Sequence, residues 1–294
     1  MTAWRRRIGG ALLATALVAV ASGCSAAEVR AAPTPSPSAP APPQVGSIVV
    51  IGDSISLGVA ACGTADACAE ASWAIGTDPA VASIASRVAE LTGSAPRTEA
   101  VARPGARIAD AEAALPTLAD SDADLVLVLV GANDACTASA ASMTAPGDFA
   151  DSYAALLTGV SAALPDARIV ALSLPDLLQL WQLGSTDPAT VQAWSRSPSC
   201  RSLLQNAASV ADADIERRAA VDELVTAYDD AIADACAAIV SCTFDAGAVH
   251  AVRFDSDDVS TVDRFHPSLQ GQAKLAEAAW SAVAAAIDPA APAG

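Results

Sequence analysis

The sequence predicts an α/β fold of three layers, α/β/α, with a mainly parallel central sheet covered by helices on both faces. Two runs carry most of that expectation: "SIVVIGDS" (47–54) and "DLVLVLVGAND" (124–134) are apolar at nearly every position until they reach a glycine. Strands buried on one face alternate apolar and polar residues, whereas strands buried on both faces read as continuous apolar runs. The third observation is that segments of helical period separate the strand-like ones, the alternation expected of a parallel sheet. Residues 46–289 form one stretch of roughly 240 residues, enough for a single domain with a substantial core.

The elements follow in order. After the first strand, "DPAVASIASRVAELTG" (78–93) has Pro79 near its start, apolar residues at 81, 84, 88 and 91, and Gly93 past its end, so it reads as an amphipathic helix. "TEAVA" (98–102) is a short strand, and "RIADAEAALPTLA" (107–119) is helical with a disturbance at Pro116. The run at 124–134 is the strongest strand and belongs at the centre. "FADSYAALLTGVSAAL" (149–164) is a helix and "RIVALSLPD" (168–176) a strand. An Ala-rich helix is expected from Ala211 to Ile239, and "AVHAV" (248–252) is a weaker last strand. The final helix sets Leu269, Ala273, Ala276, Trp280, Val283 and Ile287 at steps of three and four, a stripe that reads as core.

The N-terminus is read as an address and not as fold. Arg5, Arg6 and Arg7 precede an apolar run, Ile8–Ala21, and then "ASGC" ending at Cys24, the order of an export signal over residues 1–23. The cysteine resembles that of a bacterial lipobox, with Ala21 where leucine is usual; the resemblance implies cleavage after Gly23 and lipid on Cys24, and a plain secretory signal is the other reading. Residues 24–45 are rich in Pro, Ala and Ser and cannot build a core, so they are expected to be a tether. Residues 290–294 are a short tail. These features predict an extracytoplasmic protein, anchored to the membrane by lipid or secreted. Loss of the three arginines would take the formal charge from −17 to −20, which disfavours nucleic acid and anionic headgroups as partners.

Beyond Cys24, six cysteines are present, and an even number in an exported chain favours disulfides. Their spacing suggests Cys62–Cys68, Cys136–Cys200 and Cys236–Cys242 among the connectivities six cysteines allow. A zinc site from Cys236, Cys242 and His250 is the rival reading, but its spacing fits no zinc pattern well.

In open α/β sheets, ligands bind beyond the carboxyl ends of the strands. Three strands end in polar or glycine-bearing sequence, "GDSIS" (52–56), "ARPGAR" (102–107) and "GAND" (131–134), and a fourth cluster, "DRFH" (263–266), precedes the last helix. Taken in order, these resemble the four signature blocks of the SGNH, or GDSL, hydrolases. "SWAIGTDP" (72–79) and "DRFHPSLQGQAKLAE" (263–277) are further similar to exported actinobacterial members. The resemblance spans nearly the whole domain and implies a flavodoxin-like SGNH hydrolase fold and a serine esterase or lipase that needs no metal or cofactor.

The chemistry fits those residue types. A serine hydroxyl is a weak nucleophile without a base beside it. Ser54 is the expected nucleophile, His266 the base, and Asp263 the carboxylate that orients the imidazole. Pro267 favours an extended His266 and suits the first turn of the helix behind it. The resemblance implies three oxyanion donors: the N–H groups of Ser54 and Gly105 and the side-chain amide of Asn133. Glycine at 105 would spare the approaching backbone an obstructing side chain. The second block departs from the family pattern, because no asparagine lies between Val101 and Pro104. Each residue also has a structural reading: Ser54 and Asn133 as helix caps, Gly105 as a turn glycine. His250, in an apolar run with no acid near in sequence, reads as structural. Asp53 and Asp134 are expected to hold loops.

Ser173–Cys200, with Trp181, Trp194 and several leucines, is a candidate wall for a pocket taking short or medium acyl groups, or else a helical insertion packed on the core. The leading expectation is a monomeric, membrane-tethered serine ester hydrolase acting on a small-molecule or envelope ester. An O-acyl esterase or acyltransferase of cell-envelope glycans would use the same residues. A non-catalytic binding lipoprotein is the third reading, and a solute trap would show two similar lobes.

Overall fold

The computed structural model describes residues 44–288. The export signal, Cys24, the tether up to residue 43 and the tail lie outside the described residues. Packing begins at Val45, which is buried in the core one residue before the expected boundary.

Five strands form one sheet in the order β2-β1-β3-β4-β5, every pair parallel. The strands are β1 (Ser47–Gly52), β2 (Arg97–Ala102), β3 (Leu125–Leu129), β4 (Arg168–Ala171) and β5 (Cys242–Phe244). This is the flavodoxin-like order, with its switch point between β1 and β3. Both central strands are buried at every position, as their unbroken apolar runs require.

The helices are α1 (Ile84–Thr92), α2 (Ile108–Ala113), α3 (Ala132–Ala135), α4 (Pro146–Ala163), α5 (Leu177–Gly184), α6 (Pro188–Arg196), α7 (Arg201–Leu204), α8 (Asp212–Ala237) and α9 (Leu269–Ile287). α1 packs on α9 along one side of the sheet, and α2 and α8 pack on α4 along the other. These are the three expected layers. Phe149, Tyr153 and Tyr228 stack between α4 and α8, with Phe149 and Tyr228 ring centroids 3.9 Å apart. Among the described residues, no helix is long and apolar enough to cross a membrane.

Several boundaries differ from expectation. α1 starts at Ile84, because the Ser83 hydroxyl caps it by accepting the Ser86 N–H. After α2 the chain tightens into a 3₁₀ segment, Leu115–Asp120, at the expected Pro116 disturbance. On α9 the expected core stripe holds at Ala276, Val283 and Ile287, which are buried, with Leu269 and Trp280 packed against the core at its edge; the buried face also takes in Gln272, Leu275 and Ala279. Trp280 lies at that edge, under the Arg87 guanidinium.

The last strand is Cys242–Phe244 and not Ala248–Val252. Ile169 of β4 is in register with Cys242. The chain then turns around Asp245, whose carboxylate accepts the N–H groups of Gly247 and Val249, with Ala246 and Gly247 at positive φ. The run at 248–252 looked strand-like because Val249 is fully buried. The three cystines pair as expected, 62–68, 136–200 and 236–242. Cys236 and Cys242, bonded to each other, offer zinc no thiolates. No group of metal-binding side chains is assembled among the described residues.

Candidate active site

Ser54 lies two residues past the end of β1 and is 7 % exposed. No regular helix follows it, contrary to the helix-start reading. The carbonyls that would accept helical bonds are engaged elsewhere: Ile55 by the Gln272 amide at 2.9 Å, Ser56 by the Ser72 hydroxyl at 2.7 Å, and Leu57 by the Cys68 N–H at 3.1 Å. Gly58 and Ala60, both near φ +62°, turn the segment back. Gly52 is required on packing grounds, since a Cβ there would stand 2.2 Å from Ser56 Oγ.

His266 reaches Ser54 across 212 positions of chain. Its Nε2 lies 2.9 Å from Ser54 Oγ, and its Nδ1 lies 2.6 Å from Asp263 Oδ2. Asp263 Oδ1 meanwhile accepts the N–H groups of Phe265 (3.0 Å) and His266 (3.1 Å). Burial alone would raise the Asp263 pKa. The hydrogen bond and charge of His266, with those two amides, outweigh it and hold the carboxyl below its usual range. The Ser260 N–H closes the turn on the His266 carbonyl at 2.8 Å, and Ser268 caps α9 behind it.

The third block sits opposite. The Asn133 amide donates to Asp53 Oδ2 (3.1 Å) and to the Ala106 carbonyl (3.0 Å). Both of its hydrogens are therefore engaged, and donation to an oxyanion requires one of these bonds to be exchanged. Gly105 precedes that carbonyl at φ +74°. A Cβ on Gly105 would meet nothing within 4 Å, so its left-handed backbone, and not an obstructed approach, is what calls for glycine. Asp134 holds loops as expected, accepting from the Ile108 N–H and the Thr144 hydroxyl.

Asp53 is 1 % exposed. Burial raises its pKa to about 6, against the Ile55 N–H, the His266 charge and the Asn133 amide, which lower it, while the charge of Asp134 adds to the rise. Between pH 3.8 and about 6 the folded chain thus keeps a proton there that the unfolded chain has lost, so this group's contribution falls as pH rises through that window. Relative to wild type, Asp53→Asn is expected to gain up to about 3 kcal/mol of stability between pH 4 and pH 7. Denaturant unfolding at a series of pH values checks this; a constant gap would mean that Asp53 titrates normally.

Ser54, Asn133 and His266 border one cavity of about 80 Å³. Its apolar wall comes from α5 (Leu177, Leu180 and Leu183) with Phe254 and Phe265. Cys136 also lines it, so the Cys136–Cys200 cystine ties this wall to the segment after α6. Trp181 points away: its N–H bonds the Ala207 carbonyl at 2.8 Å and Arg218 lies over its ring. His250 lies outside the cavity lining, its Nδ1 2.9 Å from Asp229 of α8. Burial lifts the Asp229 pKa to about 6. Sequence reasoning missed Gln272, which is fully buried, accepts the Trp73 N–H at 3.0 Å and so joins the nucleophile segment to α9.

Residues 50–274 match the GDSL-like lipase/acylhydrolase family. The chain belongs to that family. A GDSL-like acylhydrolase is a serine ester hydrolase, and all four blocks lie within the matched residues. Among solved structures, TesA is similar over 82 % of this chain and 99 % of its own, at 20 % identity and a TM-score of 0.52. An extracellular lipase from Streptomyces rimosus is similar over 80 % of this chain and 99 % of its own, at 19 % identity and a TM-score of 0.47. An acetylxylan esterase from Geobacillus stearothermophilus is similar over 81 % and 94 %, at 16 % identity and a TM-score of 0.47. At these identities the likeness is one of fold, and TesA carries it. No curated protein matches the chain in sequence.

Proposed function

We propose that this GDSL-like hydrolase is exported, tethered through lipid on Cys24, and cleaves carboxylic esters of short or medium acyl chains through an acyl-enzyme on Ser54. The observation that carries the catalytic part is the unbroken chain Ser54 Oγ–His266 Nε2 (2.9 Å) and His266 Nδ1–Asp263 Oδ2 (2.6 Å). Ser54 Oγ attacks the ester carbonyl carbon as His266 Nε2 takes its proton. The carbonyl oxygen becomes an oxyanion, received by the N–H groups of Ser54 and Gly105 and by the Asn133 amide. Collapse breaks the carbon–oxygen bond to the alcohol, which leaves with the proton from His266. Water then attacks the acyl-enzyme, giving its proton to His266, and the acid departs as Ser54 recovers that proton. Asp263 stays ionised and stabilises the imidazolium.

The small cavity and its leucine wall support a short acyl group. The signal-like N-terminus and three cystines support export. A fluorophosphonate probe is expected to label the purified protein and not Ser54→Ala, and p-nitrophenyl acetate or butyrate to be cleaved faster than the palmitate. Labelling that survives Ser54→Ala removes the nucleophile; preference for palmitate removes the short-acyl reading.

A further inference from the structure

The catalytic turn has an outer support that the four blocks do not include. Arg264, between Asp263 and His266, is held at φ +58°, a left-handed conformation that a residue with a Cβ adopts at a steric cost. Its N–H bonds the Ser260 carbonyl at 2.9 Å within the turn. Its own carbonyl accepts the indole N–H of Trp194 at 2.8 Å, from α6 and 70 positions away. Trp194 is 4 % exposed, so the indole donor is sheltered from competing water, while Arg264 is half-buried.

The neighbourhood is built to seat that indole. A Cβ on Gly184, at the end of α5, would stand 2.3 Å from Trp194 Cη2, so glycine there lets the ring pack against the helix that walls the cavity. Four residues after α6 ends, Cys200 is bonded to Cys136, just past the helix that carries Asn133. A strap of Cys136, Cys200 and Trp194 therefore joins the Asn133 side of the site to the His266 side.

We propose that Trp194 is a positioning residue: its hydrogen bond to the Arg264 carbonyl keeps the 260–266 turn in the form that holds Asp263 against the His266 ring. This rests on the hydrolase reading of Ser54, Asp263 and His266. Without the indole donor, Arg264 can relax towards negative φ and reorient the peptide that links the acid to the base. Small misplacements of catalytic groups cost rate out of proportion to their size.

The test compares wild type with Trp194→Phe, which keeps a ring and deletes the donor. Trp181→Phe is the control, because it deletes the same kind of indole–carbonyl bond away from the turn. Trp194→Phe is expected to lower kcat on p-nitrophenyl acetate about tenfold with KM within about twofold. The low-field proton resonance of His266 Nδ1–H, a signature of its bond to Asp263, should move upfield or exchange away. Trp181→Phe should leave kcat and the resonance unchanged. Gly184→Ala, which presses on the indole without removing it, should shift the resonance in the same direction, and it decides the matter if Trp194→Phe does not fold. An unchanged resonance in the folded variants, equal losses in both tryptophan variants, or a change in KM alone overturns the proposal. Failure of the underlying reading is separate: wild type would then resist the fluorophosphonate probe, while the resonance still reports on the turn.

Discussion

Replacing His266 with alanine is expected to lower kcat on a short p-nitrophenyl ester by about 10⁴- to 10⁶-fold. Ser54 Oγ has one base within bonding distance, the His266 Nε2 at 2.9 Å, and a serine hydroxyl without a base is a poor nucleophile at neutral pH. Ser54→Ala should lose as much, and the double variant little more than either single one, because the pair acts as a unit. What survives would come from the oxyanion donors and from binding. The fold should be kept: His266 bonds the turn through its own N–H to Asp263 and its carbonyl to Ser260, and alanine preserves both. Steady-state kinetics of the three variants, with thermal melts alongside, decide the matter. Losses that multiply in the double variant would mean that the two residues act separately.

The central strands and the triad were legible for different reasons. β1 and β3 read clearly because both faces of a central parallel strand are covered, so every position of Ile48–Ile51 and Leu125–Leu129 is apolar. Ser54, Asp263 and His266 read clearly because their blocks follow one another at element ends, where an open sheet gathers its ligands. The edge strand β5 was misplaced. Three half-buried residues at a sheet edge carry little pattern, and the better pattern at 248–252 came from Val249 entering the core from a turn and from His250 reaching back to Asp229.

The residues that brace the site were the least legible. Gln272 looks like an ordinary helix residue and Trp194 like part of a pocket wall or a packed insertion, and neither lies near its partner in sequence. Gln272 bonds Ile55, 217 positions away, and Trp194 bonds Arg264. Such ties depend on how whole helices pack, which no local spacing records. Gly105 shows the same limit at short range: its glycine was legible, but the reason is a backbone angle of +74° and not a crowded approach.

Asp263→Asn separates orientation from folding and is expected to cost about 10³- to 10⁴-fold in kcat with little change in KM. Oδ1 of the asparagine can still accept the N–H groups of Phe265 and His266, so the turn keeps its shape. The other carboxylate oxygen, 2.6 Å from His266 Nδ1, becomes an NH₂ group. A donor there faces Nδ1 as an acceptor and selects the tautomer with its proton on Nε2, which cannot take the proton of Ser54. The charge that would stabilise the imidazolium is lost as well. Asp263→Ala removes in addition the acceptor for both turn amides and should melt at a lower temperature than the asparagine variant. An asparagine variant within tenfold of wild type would mean that the base holds its tautomer without Asp263, and that the turn alone aims the ring at Ser54.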